Sequence, residues 1–301
     1  MIKEIAIDPD VLIEWSQNIR DYRDFKEEYG IGTPRIISSF PKTKYKNLRK
    51  YLLRKTDQIS NDIHKSRYVS MVQMLQNNIY LRCNEVDSSR EWQDLVLDEL
   101  EPFDIVIARE SFNCDNVLTV ADIIESDFLY LKHQVSFKRT KEDFLQTVRG
   151  FLRLTMSEII IIDAYAWKPN AIKTIKAIIR EVNDRKFKSK PVKVTVIYKE
   201  LTHGSPAPDA KFLKKEIEKE FKSFPEGIEL IIKQLKETEN SDTFHNRYIL
   251  NDIGGISLGH GLDISDKEHT TDEITLLTKT NYEKRWRQFA RDTDFKIVSL
   301  A

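Results

Sequence analysis

Ile159-Ile160-Ile161-Ile162-Asp163-Ala164-Tyr165 combines four consecutive β-branched residues with an acid and an aromatic residue. Four isoleucines in a row leave no polar face for solvent, so this run is unsuited to the edge of a sheet. It is typical of a strand that is covered on both faces. We therefore predict an α/β fold around this strand, with Asp163 at its carboxyl end.

The sequence on both sides of this strand alternates between helical and extended patterns. Such alternation favours parallel strand pairing with right-handed crossover connections. The predicted elements, in chain order, are helix Lys141–Thr155, strand Ile159–Ile162, helix Ala171–Asp184, strand Val192–Tyr198, helix Asp209–Ser223 and strand Ile228–Ile232.

A second group of strands follows this parallel core. Two extended runs flank Ile253-Gly254-Gly255, a pattern that predicts a β-hairpin. The predicted elements are the hairpin strands Arg247–Asn251 and Ile256–Leu258, strand Glu273–Leu277, helix Asn281–Asp292 and strand Lys296–Ser299. Residues 139–301 are thus predicted to form a mixed sheet with flanking helices.

Residues 1–138 have a different pattern, in which apolar positions mostly recur three or four residues apart. Recognisable strands are restricted to Ile5–Ile7 and Asp104–Ala108. We predict a helix-rich N-terminal domain of unknown type, and we expect the polar, basic stretch Ser136–Thr140 to form the boundary to the C-terminal domain. The N-terminal domain is a candidate for contact with a protein partner.

The composition is that of an ordinary soluble globular protein. The 301 residues include 48 Lys and Arg and 48 Asp and Glu, so the formal net charge is zero, which argues against a globally basic nucleic-acid coat. No window approaches the roughly 18 apolar residues of a membrane span, and the first residues are not typical of a signal peptide. We expect a cytoplasmic protein, in which Cys83 and Cys114 cannot form a disulfide framework.

One stretch has a spacing that indicates chemistry: Thr243-Phe-His-Asn-Arg-Tyr-Ile-Leu-Asn-Asp252-Ile-Gly-Gly-Ile-Ser-Leu-Gly259-His-Gly-Leu-Asp263. His245 and Arg247 are two positions apart, so on a strand they would share a face. An imidazole beside a fixed cation suits phosphoryl transfer, because the histidine attacks phosphorus or protonates the leaving oxygen while the guanidinium neutralises the phosphoryl oxygens. This chemistry needs no metal, and we expect no cofactor.

The spacing of His245, Arg247, Asp252 and Gly259 resembles the motif of the phospholipase D superfamily: His-x-Lys, four residues, Asp, six residues and a glycine pair. The residues of this motif are similar to those of a divergent branch of the superfamily. That branch includes the module that follows MIT domains in eukaryotic abscission proteins. It also includes bacterial proteins with His-Asp-Arg-Tyr and Gly-Gly-Leu-Asp-like motifs. The resemblance covers about residues 141–301. It implies phosphodiester chemistry on a mixed α/β sheet.

We expect the motif residues to form a pocket at the carboxyl end of the parallel strands, because open α/β sheets bind ligands there. The expected catalytic residues are His245, Arg247, Asp252 and His260, and the expected phosphate-binding residues are Asp163, Ser257 and Gly259. Two roles stay open. Asp163 either lines the pocket or caps the following turn, and Asp252 either holds a histidine tautomer or shapes the hairpin turn.

Active members of the superfamily bring two copies of the motif together, whereas this chain carries one. The resemblance therefore implies either a homodimer that pairs two His245 side chains or a second acid within the chain. If the turn pairs Asn251 with Ile256, continued antiparallel register places His260 opposite Arg247. His260 is then a candidate for the second histidine.

The expected function is a metal-independent phosphodiesterase that acts on DNA or RNA rather than on lipid. Similar bacterial domains occur in antiphage and mobile-element systems, which suggests that context by analogy. The alternative is a non-catalytic module that binds an anionic ligand, nucleic acid or a protein partner. A solution mass would favour the enzyme if it revealed a two-fold dimer.

A basic segment lies in the N-terminal half, without an acid between Lys42 and Lys55. Its candidate nucleic-acid contacts are Lys42, Lys44, Lys46, Arg49 and Lys50. One interpretation is a helix that contacts the phosphate backbone, with Tyr45 and Tyr51 interleaved between the cations. The other is a solvated helix face.

Overall fold

The computed structural model describes residues 1–83, 90–126, 131–188, 190–201, 206–239, 241–264, 267–291 and 293–301. The chain divides into two units: residues 2–132 form the N-terminal unit, and residues 133–301 together with Met1 form the C-terminal unit. Within the described ranges, each unit contains one β-sheet with helices. The α/β class expected from the sequence is therefore confirmed.

The N-terminal unit contains, in chain order, β1 Lys3–Ile7, α1 Pro9–Gln17, α2 Ile19–Glu28, β2 Arg35–Ser38, α3 Tyr45–Leu53, α4 Asp62–Met74, β3 Ile79–Tyr80, α5 Trp92–Leu97, β4 Ile105–Ala108, β5 Val117–Thr119 and α6 Val120–Glu125. In the described part of the unit these strands form one parallel sheet, in the order β3-β2-β1-β4-β5. The helix-rich N-terminal domain expected from the sequence therefore also contains a parallel sheet, of which the sequence indicated only β1 and β4. Strands β2, β3 and β5 were missed because they have four, two and three residues, too few for a periodic pattern.

Alternate residues of β1 and β4 pack on opposite faces of this parallel sheet. Ile5 and Ile107 belong to one buried cluster, while Ala6 and Val106 belong to another. Burial on both faces is the usual arrangement of a parallel sheet whose crossover helices cover it on either side. The N-terminal unit therefore has its own two-sided core.

The C-terminal unit contains, in chain order, β6 Gln134–Arg139, α7 Lys141–Arg153, β7 Glu158–Ile162, α8 Pro169–Asn183, β8 Val192–Lys199, α9 Ala210–Lys219, β9 Ile228–Lys236, β10 Arg247–Asn251, β11 Gly254–Leu258, β12 Lys267–Leu276, α10 Lys279–Trp286 and β13 Lys296–Leu300. Its described strands follow the order β13-β9-β8-β7-β10-β11-β12-β6. Neighbours β7, β8 and β9 are parallel, and the remaining neighbours are antiparallel. The predicted mixed sheet is confirmed, with the isoleucine run of β7 at its centre.

Two boundaries differ from the sequence-based expectation. Strand β6 pairs with β12, so most of the stretch Ser136–Thr140 belongs to the C-terminal sheet. Helix α10 ends at Trp286 and is followed by a π-helical turn over Arg287–Arg291. Asp292, the predicted end of this helix, lies outside the described residues.

The hairpin of β10 and β11 has a tighter turn than the sequence predicted. Asn251 pairs with Gly254, and Arg247 pairs with Leu258. The Asn251 side chain closes the turn, because its Oδ1 accepts the backbone N–H two residues later at 3.1 Å. Gly254 therefore belongs to the strand, and the prediction that Arg247 lies opposite His260 is wrong.

Asn251 also ties this turn to α7 and α10. The residue is fully buried, and its Nδ2 donates to the Phe151 carbonyl at 2.9 Å and to the Thr155 hydroxyl at 3.1 Å. The Asn251 carbonyl accepts the Tyr282 hydroxyl at 2.8 Å. Buried hydrogen bonds therefore fix the register of the hairpin.

We expect the substitution Asn251→Ala to lower the free energy of unfolding by about 2 kcal/mol, because buried polar groups left without partners each cost about 1–3 kcal/mol. Urea denaturation followed by circular dichroism measures this change. The control Asn246→Ala alters an exposed residue just before the same hairpin and should stay within about 0.5 kcal/mol of the parent. Equal stability of the two variants would contradict the anchoring role of Asn251.

Candidate active site

Three strand ends meet on one side of the C-terminal sheet. Because the neighbouring pairs are antiparallel, the carboxyl ends of β7 and β11 lie beside the amino end of β10, and β12 continues past the end of β11. Tyr248 pairs with Ile162, so one further step of the register places Arg247 opposite Asp163. The Nε of Arg247 lies 3.7 Å from Oδ1 of Asp163. This ion pair is the first component of the candidate site.

Asp163 is a buried carboxylate with two backbone donors. Its Oδ1 accepts the Tyr165 N–H at 2.8 Å, and its Oδ2 accepts the Leu262 N–H at 2.7 Å. Burial raises the pKa of Asp163, and the two N–H donors and the Arg247 guanidinium partly oppose that increase. Asp163 therefore caps the turn after β7 and contacts the arginine, but it is not among the residues that line the adjoining pocket.

Gly261 fills the space between Asp163 and Arg247. Its φ of +79° is in the left-handed region that favours glycine. A Cβ at this position would collide with Oδ2 of Asp163 and with Cδ of Arg247. Gly261 is thus required both by the backbone and by the close approach of the ion pair.

Arg247 is held in place by contacts on one side. Its Nη1 donates to the Gly259 carbonyl at 3.1 Å, while its Nε is buried and has no hydrogen-bond partner among the described residues. About one quarter of the side chain is exposed. The guanidinium therefore keeps a solvent-facing edge on which an anion could bind.

His260 and Asp272 form the second component of the candidate site. Leu258 pairs with Ile274, so continued register places His260, two residues beyond β11, opposite Asp272 in the middle of β12. Oδ1 of Asp272 lies 3.1 Å from Nδ1 of His260, and Oδ2 accepts the His260 N–H at 3.0 Å. The carboxylate is buried, whereas the histidine side chain is 68% exposed. Asp272 therefore orients the imidazole with its Nε2 edge towards solvent.

Asp272 is a functional candidate that the sequence reasoning missed. The predicted strand began at Glu273, whereas β12 begins at Lys267 and includes Asp272. An available signal was its position two residues before the apolar Ile274, which places it on the same strand face. Gly259 makes room for the carboxylate, because a Cβ at that glycine would collide with Oδ1 of Asp272.

His245 lies in a turn before β10 and not on the strand, which corrects the assumption that it shares a strand face with Arg247. Its backbone N–H donates to the Thr243 carbonyl at 2.9 Å, and its side chain is exposed. The neighbouring Phe244 N–H donates to Glu237 at 2.6 Å. A hydrogen bond from Lys199 lowers the pKa of Glu237, so a carboxylate anchors the turn that carries His245.

An open pocket of about 340 Å³ lies beside Arg247, and His260, Asp272 and Asp163 are not among its lining residues. Its lining includes His245, Arg247, Ser257 and Gly259, which the sequence had grouped together. The Ser257 hydroxyl makes only a long contact of 3.5 Å to the Thr275 carbonyl. Ser257 is therefore positioned to offer a hydrogen bond to a bound molecule.

Asp252 lies at the opposite end of the hairpin and does not line this pocket. Its Oδ2 accepts the N–H groups of Met156 and Ser157 at 2.8 Å each, and that of Glu158 at 3.3 Å. The expectation that Asp252 joins His245 and Arg247 is therefore wrong. Asp252 follows β10, whereas His245 precedes this strand and Arg247 opens it. Asp252 therefore lies at the opposite end of the strand, where it anchors the loop before β7.

The candidate nucleic-acid contacts lie around α3 in the N-terminal unit. Lys44, Lys46, Arg49 and Lys50 are exposed, and Lys42 is partly buried in the loop before the helix. Tyr45 is not available for stacking, because its hydroxyl donates to the Val72 carbonyl at 3.1 Å and its ring packs against the core. Tyr51 also packs partly against this core, so the segment is a cationic helix face whose two tyrosines both contribute to the fold.

No group of three or more His, Cys, Asp or Glu side chains in the described part of the chain could hold a metal ion. None of the helices described is long and apolar enough to cross a membrane.

No protein-family model matches the chain, and no curated protein matches it either. Among solved structures, it is similar to Nuc from Salmonella typhimurium, a phospholipase D family member, with 11% identity and a TM-score of 0.33 over 55% of this chain and 97% of that chain. NucT from Helicobacter pylori has 12% identity and a TM-score of 0.31 over 52% of this chain and 91% of that chain. The archaeal chromatin protein TrmBL2, described with a novel mode of DNA binding, has 12% identity and a TM-score of 0.27 over 56% of this chain and 57% of that chain.

Proposed function

We propose that the C-terminal unit is a metal-independent phosphodiesterase. The observation that carries this proposal is the adjacency of a fixed cation and an oriented imidazole: Arg247 contacts Gly259 and packs against Gly261, the two residues that flank His260. Phosphoryl transfer needs this combination, because one group reacts with or protonates the phosphodiester while the other neutralises its oxygens.

His260 is the nucleophile in this proposal. When Nδ1 keeps its proton and donates a hydrogen bond to Asp272, the lone pair of the neutral imidazole is on Nε2, which faces solvent. Nε2 attacks phosphorus, a bond from nitrogen to phosphorus forms, and the bond from phosphorus to the leaving oxygen breaks. Arg247 binds the phosphoryl oxygens during this step. The nucleophile expected from the sequence, His245, takes the other role.

His245 is the general acid and base in this proposal. It begins protonated and gives its proton to the leaving oxygen, so that the first product departs as an alcohol. The neutral imidazole then removes a proton from water, which attacks the phosphohistidine and releases His260. Both histidines belong to one chain, so this scheme does not require a dimer. The homodimer expected from the sequence stays a prediction.

The proposed substrate is a nucleic-acid phosphodiester. A pocket of about 340 Å³ is at the lower end of the size range of small-ligand sites, and its open shape suits one phosphodiester of a longer strand. The exposed cations of α3 are a further feature that a polyanionic substrate would contact. The antiphage context stays a prediction.

A second candidate function is phosphate binding without turnover. It is favoured by one observation: within the described part of the chain no hydrogen bond orients the His245 ring. A module of this kind would use Arg247 and Ser257 to hold an anion, and it would lack a positioned general acid. Turnover measurements on the histidine variants distinguish the two functions.

The first prediction concerns the histidines. In EDTA, the parent should cleave bis(p-nitrophenyl) phosphate or a labelled oligonucleotide, because the proposed groups replace the role of a metal. His260→Asn and His245→Asn should each reduce cleavage to the uncatalysed level, while the control His269→Asn, exposed on β12, should keep parental activity. Cleavage that survives His260→Asn, or that stops in EDTA, would place the chemistry elsewhere.

The second prediction concerns Arg247. Arg247→Ala should reduce kcat by about 10²–10³-fold, because the loss of one preformed donor to a developing charge is worth about 3–4 kcal/mol. Steady-state kinetics on the same substrates measure the effect, and the exposed Lys284→Ala is the matched control for loss of a nearby positive charge. An Arg247→Ala enzyme with parental kcat would refute the phosphate clamp.

The third prediction concerns Asp272. Asp272→Asn should lower kcat by about 10²–10⁴-fold, because the ring of His260 is no longer held in the reactive tautomer. The KM should stay at the parental value, since Asp272 is buried and does not contact substrate. A change in KM alone, with kcat preserved, would indicate that Asp272 serves only the fold.

A further inference from the structure

The structure divides the basic segment Lys42–Lys55 into groups with different surroundings. Lys55 pairs with Asp10 at 2.8 Å. Lys42, Lys50 and Arg54 line a pocket of about 230 Å³ together with Asn47 and Tyr51. The remaining three cations, Lys44, Lys46 and Arg49, are exposed outside this pocket.

The pocket lies where a parallel sheet commonly binds its ligands. The loop that carries Lys42 leaves the carboxyl end of β2 and runs directly into α3, which supplies the other lining residues. Open parallel sheets bind ligands outside the carboxyl ends of their strands. The position of this pocket in the N-terminal unit therefore matches that of a ligand site, independently of its charge.

The lining of the pocket is rich in hydrogen-bond donors. Lys50 and Arg54 take part in no ion pair among the described residues; Lys50 lies on the last turn of α3, and Arg54 follows four residues later, where a 3-10 turn begins. Burial, with a smaller effect of nearby carboxylates, raises the pKa of Tyr51 to about 12, so its hydroxyl stays protonated and can donate. Ammonium, guanidinium and phenol donors together suit an acceptor-rich anion such as phosphate.

The neighbouring surface favours a polymer of phosphates over a membrane. Lys46 and Arg49 extend the positive charge along α3 beyond the pocket. Leu48 and Leu52 of this helix are buried in the core and Leu53 packs against it, so α3 has no apolar face to insert into a bilayer. A chain of phosphates could place one phosphate in the pocket and the next ones on the exposed cations.

We propose that this pocket of the N-terminal unit is a second nucleic-acid site, in which Lys50 and Arg54 hold one backbone phosphate while Lys46 and Arg49 contact neighbouring phosphates. The site is separate from the phosphodiesterase centre and does not depend on catalysis there. It would bind nucleic acid without reading its sequence, because phosphate contacts position a strand but carry no base information.

The test is a fluorescence-anisotropy titration of a labelled 20-base-pair DNA duplex at several salt concentrations, with full-length protein carrying His245→Asn and His260→Asn to prevent cleavage. Adding Lys50→Glu and Arg54→Glu should weaken binding at least about ten-fold at 0.1 M salt. It should also flatten the plot of log affinity against log salt by about 0.9, because the two side chains hold one phosphate. Lys46→Glu with Arg49→Glu should have a smaller effect on affinity.

The matched control reverses two exposed cations of the same unit, Arg23→Glu and Lys65→Glu, on α2 and α4. Equal losses in the pocket variant and this control, or no binding by the parent at low salt, would overturn the proposal. Vesicles with 30% phosphatidylserine form the second arm. Loss of vesicle binding in the pocket variant with DNA binding intact would assign the pocket to a membrane and likewise overturn it.

Circular dichroism checks that each variant is folded. If the glutamate variant is unfolded, Lys50→Gln with Arg54→Gln replaces it, because glutamine removes the positive charge without adding a negative one. The proposed site then predicts the same flattening of the salt dependence. The outcome is independent of catalysis. A failed cleavage assay would contradict the role of His260, whereas an unchanged salt slope would contradict the nucleic-acid site in this pocket.

Discussion

The two-residue turn between β10 and β11 sets the geometry on which the candidate active site depends. Asn251 closes this turn and is held by the end of α7, so the hairpin has a single register. A slip of one residue would move Arg247 to the other face of the sheet, away from Asp163. The next strand continues this register and brings Asp272 opposite His260. The buried side-chain amide of Asn251 thus supports both the Arg247–Asp163 pair and the His260–Asp272 pair.

The change from parallel to antiparallel pairing at β7 and β10 explains which residues meet. In a wholly parallel sheet, such as that of the N-terminal unit, residues at the amino end of one strand never meet those at the carboxyl end of its neighbour. In the C-terminal sheet, the residue that follows β7 meets the residue that opens β10. For the same reason Asp252, which follows β10, lies at the opposite end of the strands, where it accepts backbone hydrogen bonds from the loop before β7.

The sequence predicted what depends on local patterns. The isoleucine run of β7 marked the centre of the sheet because no other environment accepts four such residues together. The turn register was not predictable, because it depends on a hydrogen bond from Asn251 to Phe151, 100 positions away. Asp272 was missed because β12 begins with polar residues that have no alternation, and the N-terminal sheet was missed because its strands are short. Long-range contacts therefore decided the parts that local patterns left open.

The carboxylate of Asp163 opposes the stability of the fold that contains it. Its pKa is raised above the ordinary value of 3.8, chiefly by burial, so the folded chain binds this proton more readily than the unfolded chain does. The stabilising contribution of the protonated Asp163 carboxyl group is therefore fully present below pH 3.8. It is lost as the pH rises through the raised pKa of the folded chain. Burial therefore makes ionisation of this carboxyl group unfavourable in the folded chain. The fully buried isoleucines that lead up to it stabilise the same strand, so the strand that supplies apolar burial to the sheet also ends in a group that resists carrying a charge.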